Sequence, residues 1–303
     1  MISNIETDQV LEHARKIVGQ DLLLVTENKR GSRSLVLTVN NGRHDFVIKA
    51  GPDTETDYFV LNLLHDLRFP SPTLIAYSDI HNDYGLVIMS KLSGIQARNL
   101  PLTERFHVVS ALMDEMGKLK ICKSDSGAGE IKKVCRGRGS TWTGYLNQVL
   151  DRAEEDLRAN NLINKDLVDW KSIQTATELI RIGIENLPTD LDLCLLHNDL
   201  NLANCIVTPV ESNLLGVVDW SDAIYGEQLY DFSRLKMNLE QSNDEESLRI
   251  YKSKLAINGE ESGREQLYYL CRLVEYLGIY GKYGSEHWFN RNQQLLSQTI
   301  SNW

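Results

Sequence analysis

Residues 195–223 read LLHNDLNLANCIVTPVESNLLGVVDWSDA and hold the densest group of reactive polar side chains in the chain. His197, Asp199 and Asn204 fit the pattern HxDxxxxN, and Asp219 follows Asn204 at the end of an apolar run. Phosphoryl transfer needs these residue types, because Mg²⁺ must neutralise the polyphosphate through oxygen ligands and the acceptor hydroxyl must be aligned with the γ-phosphorus. The pattern therefore predicts a catalytic loop followed by a metal-binding strand end.

The chemistry assigns a role to each polar residue of this stretch. Asn204 and Asp219 are predicted to hold Mg²⁺, and Asp199 is predicted to orient the acceptor hydroxyl and to accept its proton. His197 belongs to the same catalytic loop, which it props through hydrogen bonds rather than serving as the base. A lone Asp or Asn in a turn more often caps a helix or forms an Asx turn, but the joint spacing favours the catalytic interpretation.

A lysine upstream of this loop completes the donor side of the predicted site. Lys49 lies in FVIKA, a strand-like run, and is predicted to contact the α- and β-phosphates of a nucleotide. The segment Thr54–Leu67 that follows has helical periodicity. An acid from this helix should hold the lysine, and Glu55 and Asp57 compete for that role. Asp57 is favoured, because apolar residues follow it at +3, +4 and +7 on the buried side of the helix.

Two further segments are predicted to contact the nucleotide. The loop NKRGSRS (28–34) would cover the phosphates, with Gly31, Ser32 and Ser34 donating backbone and hydroxyl hydrogen bonds to phosphate oxygens. The strand YGLVIMSKL contains Met89 and Lys91, whose backbone groups are predicted to pair with the base. The cofactors expected from the whole pattern are ATP or GTP, together with Mg²⁺.

The order of elements defines the fold class. A helix over Thr7–Val18 is followed by three strands, with a two-residue hairpin turn at Asn41-Gly42, then by the helix that carries Asp57 and by two more strands. This order predicts an α+β fold of the bilobal protein-kinase-like type. Residues 1–91 would form a nucleotide-binding N-lobe, a small antiparallel sheet with one helix, and residues 92–303 a larger, mainly helical C-lobe for catalysis and acceptor binding.

The C-lobe pattern is mainly helical beyond Gly94. The predicted helices are Thr103–Lys120, Trp142–Asn160, Asp166–Glu185, Asp231–Gln241, Glu245–Ile257, Glu265–Tyr280 and Ser285–Ile300. Two short strands, near Cys205–Val207 and Leu214–Val218, interrupt this pattern. Gly127–Ser140 is predicted to be a basic glycine-rich loop, because it has no hydrophobic periodicity.

Charge and cysteine content narrow the class of protein and its partners. Residues 1–141 hold 18 Lys/Arg and 17 Asp/Glu, a balance of +1, whereas residues 142–303 hold 14 and 25, a balance of −11, so the acidity of the chain lies in its second half. Such a surface disfavours nucleic acid and favours a cationic small molecule. The five cysteines are never spaced as CxxC, and no apolar run is long enough to span a membrane, so a cytoplasmic protein is expected. A monomer is expected as well.

With these pieces placed, nearly the whole chain resembles the aminoglycoside phosphotransferase and choline kinase family. It looks most similar to the hygromycin B phosphotransferases, through the FPSP break, the SGAGEI and TWTGYL segments and VVDWSDAIYGEQLYDFSRL. The resemblance implies the same roles for Lys49, Asp199, Asn204 and Asp219, and it makes Asp231 the structural aspartate that braces the catalytic loop. The family usually has Gly or Ala where this chain has Asn198, and often His-Pro-Gly at residues 201–203.

The resemblance implies an acceptor hydroxyl on an aminoglycoside or aminocyclitol, with hygromycin B as the leading compound and antibiotic resistance as a possible outcome in the host. Asp222, Glu227 and Glu275 are the candidates for binding its ammonium groups, although each acid taken singly could be an ordinary surface charge. Two alternatives remain: a metabolic kinase for choline, homoserine or an amino sugar, and a catalytically inactive kinase-like binding protein.

Overall fold

A computed structural model describes residues 7–19, 21–28, 34–81, 84–135, 137–159, 163–164 and 168–303. The helices are α1 (Thr7–Val18), α2 (Thr54–Asp66), α3 (Leu102–Lys118), α4 (Ile131–Cys135), α5 (Trp142–Ala159), α6 (Trp170–Glu185), α7 (Gln228–Gln241), α8 (Glu245–Leu255), α9 (Gly259–Tyr283) and α10 (Glu286–Ser301). The strands are β1 (Leu23–Asn28), β2 (Leu35–Asn40), β3 (Asp45–Gly51), β4 (Leu74–His81), β5 (Tyr84–Ser90), β6 (Ile95–Gln96), β7 (Gly129–Glu130), β8 (Leu193–Leu196), β9 (Cys205–Val207), β10 (Leu214–Val217) and β11 (Ile224–Glu227).

The chain forms two compact units. The first contains Met1–Leu100 and Ala203–Ala223, and the second contains Pro101–Leu202 and Ile224–Trp303. Asn204 and Asp219 thus belong to the same unit as Lys49, whereas Asp199 belongs to the second unit. The functional labels of the two predicted lobes stay predictions.

A five-stranded antiparallel sheet in the order β1-β2-β3-β5-β4 is the centre of the first unit. Alternate residues of β2, β3 and β5 point to the face of the sheet on which α1 packs. These residues are mostly aliphatic, and together with those of α1 they form the core of this unit. The predicted hairpin between β2 and β3 forms, but its loop has four residues rather than two, since Asn40 pairs with Asp45. Asn41 explains the difference: its side-chain oxygen accepts from the amides of Arg43 and His44, which closes a wider turn.

A second, three-stranded sheet in the order β10-β9-β6 completes the first unit. It requires glycine at residue 94, because a β-carbon there would lie 2.4 Å from the carbonyl oxygen of Val207. The FPSP segment after α2 packs on β10: Pro70 accepts from the amide of Val217, and Phe69 contacts the buried Trp220 edge-on. The break in the sequence is therefore a packing element that fixes the strand leading to Asp219.

The second unit is mainly helical around α9, whose buried side chains extend along most of its length. A sheet in the order β7-β11-β8 accompanies the helices, and the sequence pattern had indicated none of these strands. They are too short to show periodicity, at two to four residues each. The predicted loop Gly127–Ser140 was wrong in part, since it contains β7 and α4. In the described part of the chain, no helix is long and apolar enough to cross a membrane.

Helix bounds differ from the predictions mainly at the starts. The helix predicted from Glu265 begins at Gly259, because Asn258 and Glu261 form a capping box with the first turn. The helix predicted from Asp231 begins at Gln228, directly after β11. The helix predicted from Asp166 begins at Trp170, where Asp169 caps it through the amide of Ser172, and Asp166 itself lies outside the described residues.

Candidate active site

Asp231 fixes the backbone of the predicted catalytic loop in the second unit. This fully buried aspartate, on the first turn of α7, accepts from the amide of His197 at 2.6 Å and from the amide of Asn198 at 2.7 Å. His197 is also fully buried, and its Nδ1 lies 3.3 Å from the amide nitrogen of Asp199. Asn198 has a φ of +70°, a conformation that asparagine tolerates better than most residues. The structure thus places Asp231 and His197 in contact with the backbone of this loop.

The carboxylate of Asp199 contacts two residues that the sequence analysis missed. Arg234 donates from Nε to Oδ1 at 3.0 Å, and Tyr276 donates its hydroxyl to the same oxygen at 2.7 Å. The signal for Arg234 was present, since it follows Asp231 by three residues and therefore lies on the same face of α7. Tyr276 gave no such signal, because it is 77 residues away from Asp199.

The acid predicted on α9 has an arginine partner. Glu275 accepts from Arg272 Nη1 at 2.8 Å, and Arg272 Nη2 donates to the side-chain oxygen of Asn198 at 2.8 Å. Arg272 is 1% exposed and lies 3.6 Å from the ring centroid of Tyr230. The side chain of Asn198 is therefore held by the buried Arg272, and Glu275 neutralises the charge of that arginine.

Glu227 is placed inside the second unit rather than on an open surface. It is 7% exposed, and its carboxylate accepts from Arg264 at 2.9 Å and from the hydroxyl of Tyr268. These two donors lie on α9, so the Glu227 carboxylate joins the start of α7 to α9 and offers little to an acceptor; Glu227 is therefore not among the proposed acceptor contacts. Asp222 lies in the first unit and is partly exposed.

The β9–β10 hairpin brings the two predicted metal ligands of the first unit together. The amide of Val218 donates to the carbonyl oxygen of Asn204 at 2.9 Å, so Asn204 and Asp219 lie at the same end of this hairpin. Asp219 has a φ of +66°, in the left-handed region that aspartate adopts more readily than most residues. A carboxylate and an amide oxygen are hard donors that suit Mg²⁺, so the donor set fits that ion.

Lys49 connects the sheet of the first unit to both α2 and the Asp219 segment. Its Nζ lies 3.0 Å from Asp57 Oδ2, 2.7 Å from Asp219 Oδ1 and 2.9 Å from Ser221 Oγ. Burial alone would lower the pKa of Lys49, but the charges of Asp57 and Asp219 outweigh it and raise the pKa. The lysine is therefore a fixed cation, and it pairs with Asp57, the acid that the sequence favoured over Glu55.

Replacing Asp57 by asparagine tests this pairing through stability. The side chains of Lys49 and Asp57 are only 9% and 3% exposed, so the variant leaves a buried cation with Asp219 as its remaining carboxylate. We expect the free energy of unfolding in urea to fall by about 2–4 kcal/mol. The matched control is Glu55→Gln on the same helix, which should cost less than about 1 kcal/mol because Glu55 is only half-buried. An equal loss in both variants would contradict the assignment.

The remaining predicted nucleotide contacts are only partly visible. Gly31 and Ser32 lie outside the described residues, and Ser34 is buried directly before β2. Met89 is a buried residue of β5. Lys91 follows that strand, where its ammonium group contacts Asp45 at 3.0 Å and its amide donates to the carbonyl of Asp45. Base pairing at this strand therefore stays a prediction.

Comparison with solved structures identifies the fold. The chain is 17% identical to aminoglycoside phosphotransferase APH(4)-Ia in its ternary complex with AMP-PNP and hygromycin B, with a TM-score of 0.75 over 96% of this chain and 98% of that one. Aminoglycoside 2'-phosphotransferase-IIIa in its GDP complex is 16% identical, with a TM-score of 0.64 over 97% and 98% of the two chains. The predicted α+β, protein-kinase-like fold class is confirmed.

Comparison of sequences identifies the family. The chain is 22% identical over 241 residues to acyl-CoA dehydrogenase family member 11 of Rattus norvegicus, which is 71% of this chain and 28% of that protein. The human protein of the same name gives 22% over 236 residues, so this chain spans just over a quarter of the curated relatives that it matches. The model of the phosphotransferase enzyme family (APH) matches residues 23–267. The chain is therefore a member of the phosphotransferase enzyme family.

Proposed function

We propose that this phosphotransferase moves the γ-phosphoryl group of ATP or GTP to a hydroxyl of a small molecule. The observation that carries the proposal is the pairing of Lys49 with both Asp57 and Asp219, which assembles the donor side of a kinase-type site within one unit. In the reaction, a bond forms between the acceptor oxygen and the γ-phosphorus, and the bond from the γ-phosphorus to the bridging oxygen breaks. The nucleoside diphosphate leaves, and the hydroxyl proton passes to Asp199.

Each group of the site has one task in this mechanism. Asn204 and Asp219 would hold Mg²⁺, which neutralises the negative charge that builds up on the phosphate oxygens. Lys49 would exchange Asp219 for the α- and β-phosphates when the nucleotide binds, while Asp57 keeps the ammonium group in place. Asp199 orients the hydroxyl, and Asp231 holds the backbone of the loop that carries Asp199. Positioning and electrostatics thus supply the catalysis.

For the acceptor we propose an aminoglycoside or aminocyclitol, with hygromycin B as the first compound to test. The net charge of −11 in residues 142–303, from 14 Lys/Arg and 25 Asp/Glu, favours a cationic molecule. A similar fold binds hygromycin B in the ternary complex described above. Glu275 pairs with Arg272 and Glu227 with Arg264. Asp222 is partly exposed and is the acidic candidate to test first.

A metabolic kinase is the second candidate function. The pairing of Glu227 and Glu275 with arginines favours it, because an acceptor with fewer ammonium groups needs fewer open carboxylates. Choline, homoserine and amino sugars are the acceptors to compare with the aminoglycosides.

An acceptor panel decides between the two functions. We expect release of ADP or GDP from the Mg²⁺-nucleotide to increase with hygromycin B in a coupled assay, and not with choline, homoserine or glucosamine. The control is the Asp199→Asn variant, which should reduce the increase by at least about 100-fold. Turnover of one of the metabolites with no activity on any aminoglycoside would overturn the antibiotic acceptor and keep the chemistry. Lack of any thermal shift with Mg²⁺ and ATP or GTP would favour the inactive binding protein instead.

A further inference from the structure

One oxygen of Asp199 receives donors from two different helices of the second unit. Arg234 on α7 donates from Nε to Oδ1 at 3.0 Å, and its Nη2 also lies 3.0 Å from that oxygen. Tyr276 on α9 donates its hydroxyl to Oδ1 at 2.7 Å. Hydrogen bonds between ionised groups are short and directional, so three donors on one oxygen fix the plane of the carboxylate as well as its place.

Arg234 and Tyr276 also fix each other. The guanidinium carbon of Arg234 lies 4.2 Å from the ring centroid of Tyr276, which is within the range of a cation–π contact. Arg234 is only 6% exposed, so its charge depends on Asp199 and on this ring for stabilisation. Desolvation raises the pKa of Tyr276, so its hydroxyl keeps the proton that it donates to Asp199.

The course of the catalytic loop is secured by other contacts. Asp231 binds the amides of His197 and Asn198, and Asn201 Nδ2 donates to the carbonyl oxygen of Asp199 at 2.9 Å. These contacts determine the backbone and leave the rotation of the Asp199 side chain undetermined. The contacts of Arg234 therefore fix the orientation of the Asp199 carboxylate, which the backbone contacts do not. Asp231, which holds the backbone, and Arg234 lie one turn apart on α7.

We propose that Arg234 and Tyr276 are positioning residues that orient the carboxylate of Asp199 toward the acceptor hydroxyl. The inference rests on the phosphoryl transfer proposed above. A carboxylate that rotates freely about the Cβ–Cγ bond spends only part of its time in a geometry that accepts the proton, and small misplacements of a catalytic group lower rates strongly. Anchoring Oδ1 removes that freedom before the substrates bind.

Tyr276→Phe tests the proposal, because it removes the hydroxyl and keeps the ring beneath Arg234. With MgATP and hygromycin B, we expect kcat to fall about tenfold, the scale of one hydrogen bond to a charged group, with both KM values within about twofold of wild type. Tyr269→Phe is the matched control. Tyr269 lies on the same helix, donates to Glu240 and has Lys236 at 4.4 Å from its ring centroid, but it does not contact Asp199.

The pattern of results separates positioning from a general loss of stability. Tyr276→Phe should lower kcat no further in the Asp199→Asn background, because the carboxylate that it orients is then absent. Equal kcat losses in Tyr276→Phe and Tyr269→Phe, or a further tenfold loss in that background, would overturn the positioning role. So would a Tyr276→Phe kcat within twofold of wild type.

Crystal structures of the two variants give a readout that needs no turnover. We expect the Asp199 carboxylate to rotate or to split into two conformers in Tyr276→Phe, and to keep its orientation in Tyr269→Phe. An unchanged orientation in Tyr276→Phe overturns the inference. If the wild-type protein fails to phosphorylate hygromycin B, the proposed acceptor is wrong, while the orientation of Asp199 still decides the role of Tyr276.

Discussion

Replacing Asp199 by asparagine should lower kcat by at least about 100-fold, the effect of losing a general base that also orients the acceptor. Asparagine keeps an oxygen that can accept from Arg234 and Tyr276, so the side chain retains its place. It cannot take the hydroxyl proton, because an amide oxygen is far less basic than a carboxylate. Binding of the Mg²⁺-nucleotide should stay near wild type, because its predicted ligands lie on other residues.

A loss of folding stability is the competing explanation for a loss of turnover in Asp199→Asn, and the free energy involved can be estimated. The Asp199 side chain is 33% exposed, so solvent reduces the cost of removing its charge from the buried Arg234, and about 1–2 kcal/mol is expected. A domain with about 5–15 kcal/mol of stability remains almost entirely folded after such a loss. A 100-fold effect on kcat must therefore come from the chemistry.

Initial rates of nucleoside diphosphate release at saturating substrates measure this prediction. Asp192→Asn is the matched control, because Asp192 lies in the same unit, is 85% exposed and forms a surface ion pair with Lys123. Its kcat should equal that of wild type. An Asp199→Asn protein that is folded and turns over within a few-fold of wild type would exclude Asp199 as the base.

The residues proposed for the donor side can be read from the sequence, because they lie in local patterns. Asp199, Asn204 and Asp219 are read from the spacing within one stretch, and Asp57 from its place on a single helix. The structure gives the contacts that such patterns imply, with Lys49 3.0 Å from Asp57 and Asp231 bound to the loop amides.

The sequence could not reveal the partners that tertiary packing supplies. Tyr276 reaches Asp199 from 77 residues away, and no periodicity relates it to the loop. Arg234 could be linked to the loop only through its spacing from Asp231 on α7. The same limit affects one acceptor candidate: the arginine that neutralises Glu227 becomes apparent only when α9 packs against the start of α7. Arg272, in contrast, lies three residues before Glu275 on α9, so helical spacing could have indicated that pair. A count of charges therefore overestimated the number of open carboxylates.

Asp219→Asn should separate the metal-binding role of Asp219 from its contact with Lys49. Asparagine tolerates the left-handed backbone at this position about as well as aspartate, so the change adds little strain. The Asp219 side chain is 55% exposed and Asp57 still neutralises Lys49, so the free energy of unfolding should change by less than about 1 kcal/mol. This is the opposite of Asp57→Asn, where stability is the main loss.

The expected loss lies in the use of the nucleotide. In the proposed mechanism, Mg²⁺ would then have only the Asn204 amide and the replacement amide as neutral protein ligands, so we expect kcat to fall about 100-fold or more. A thermal-shift titration with ATP checks the metal directly: wild type should gain about 2.7 kcal/mol at a nucleotide concentration of 100 times Kd, and only with Mg²⁺ present. Asp219→Asn should lose the Mg²⁺-dependent part of that gain.

Glu211→Gln provides the control, because Glu211 lies in the turn of the same β9–β10 hairpin and contacts only Asn213 among the hydrogen bonds described there. It should keep both the thermal shift and kcat. If Asp219→Asn instead keeps its Mg²⁺-dependent shift and unfolds several kcal/mol more easily, Asp219 would be a structural partner of Lys49, and the metal would have to be held elsewhere. Because the buried Asp57 already neutralises Lys49, we expect Asp219→Asn to lose its Mg²⁺-dependent shift while its stability stays near that of wild type.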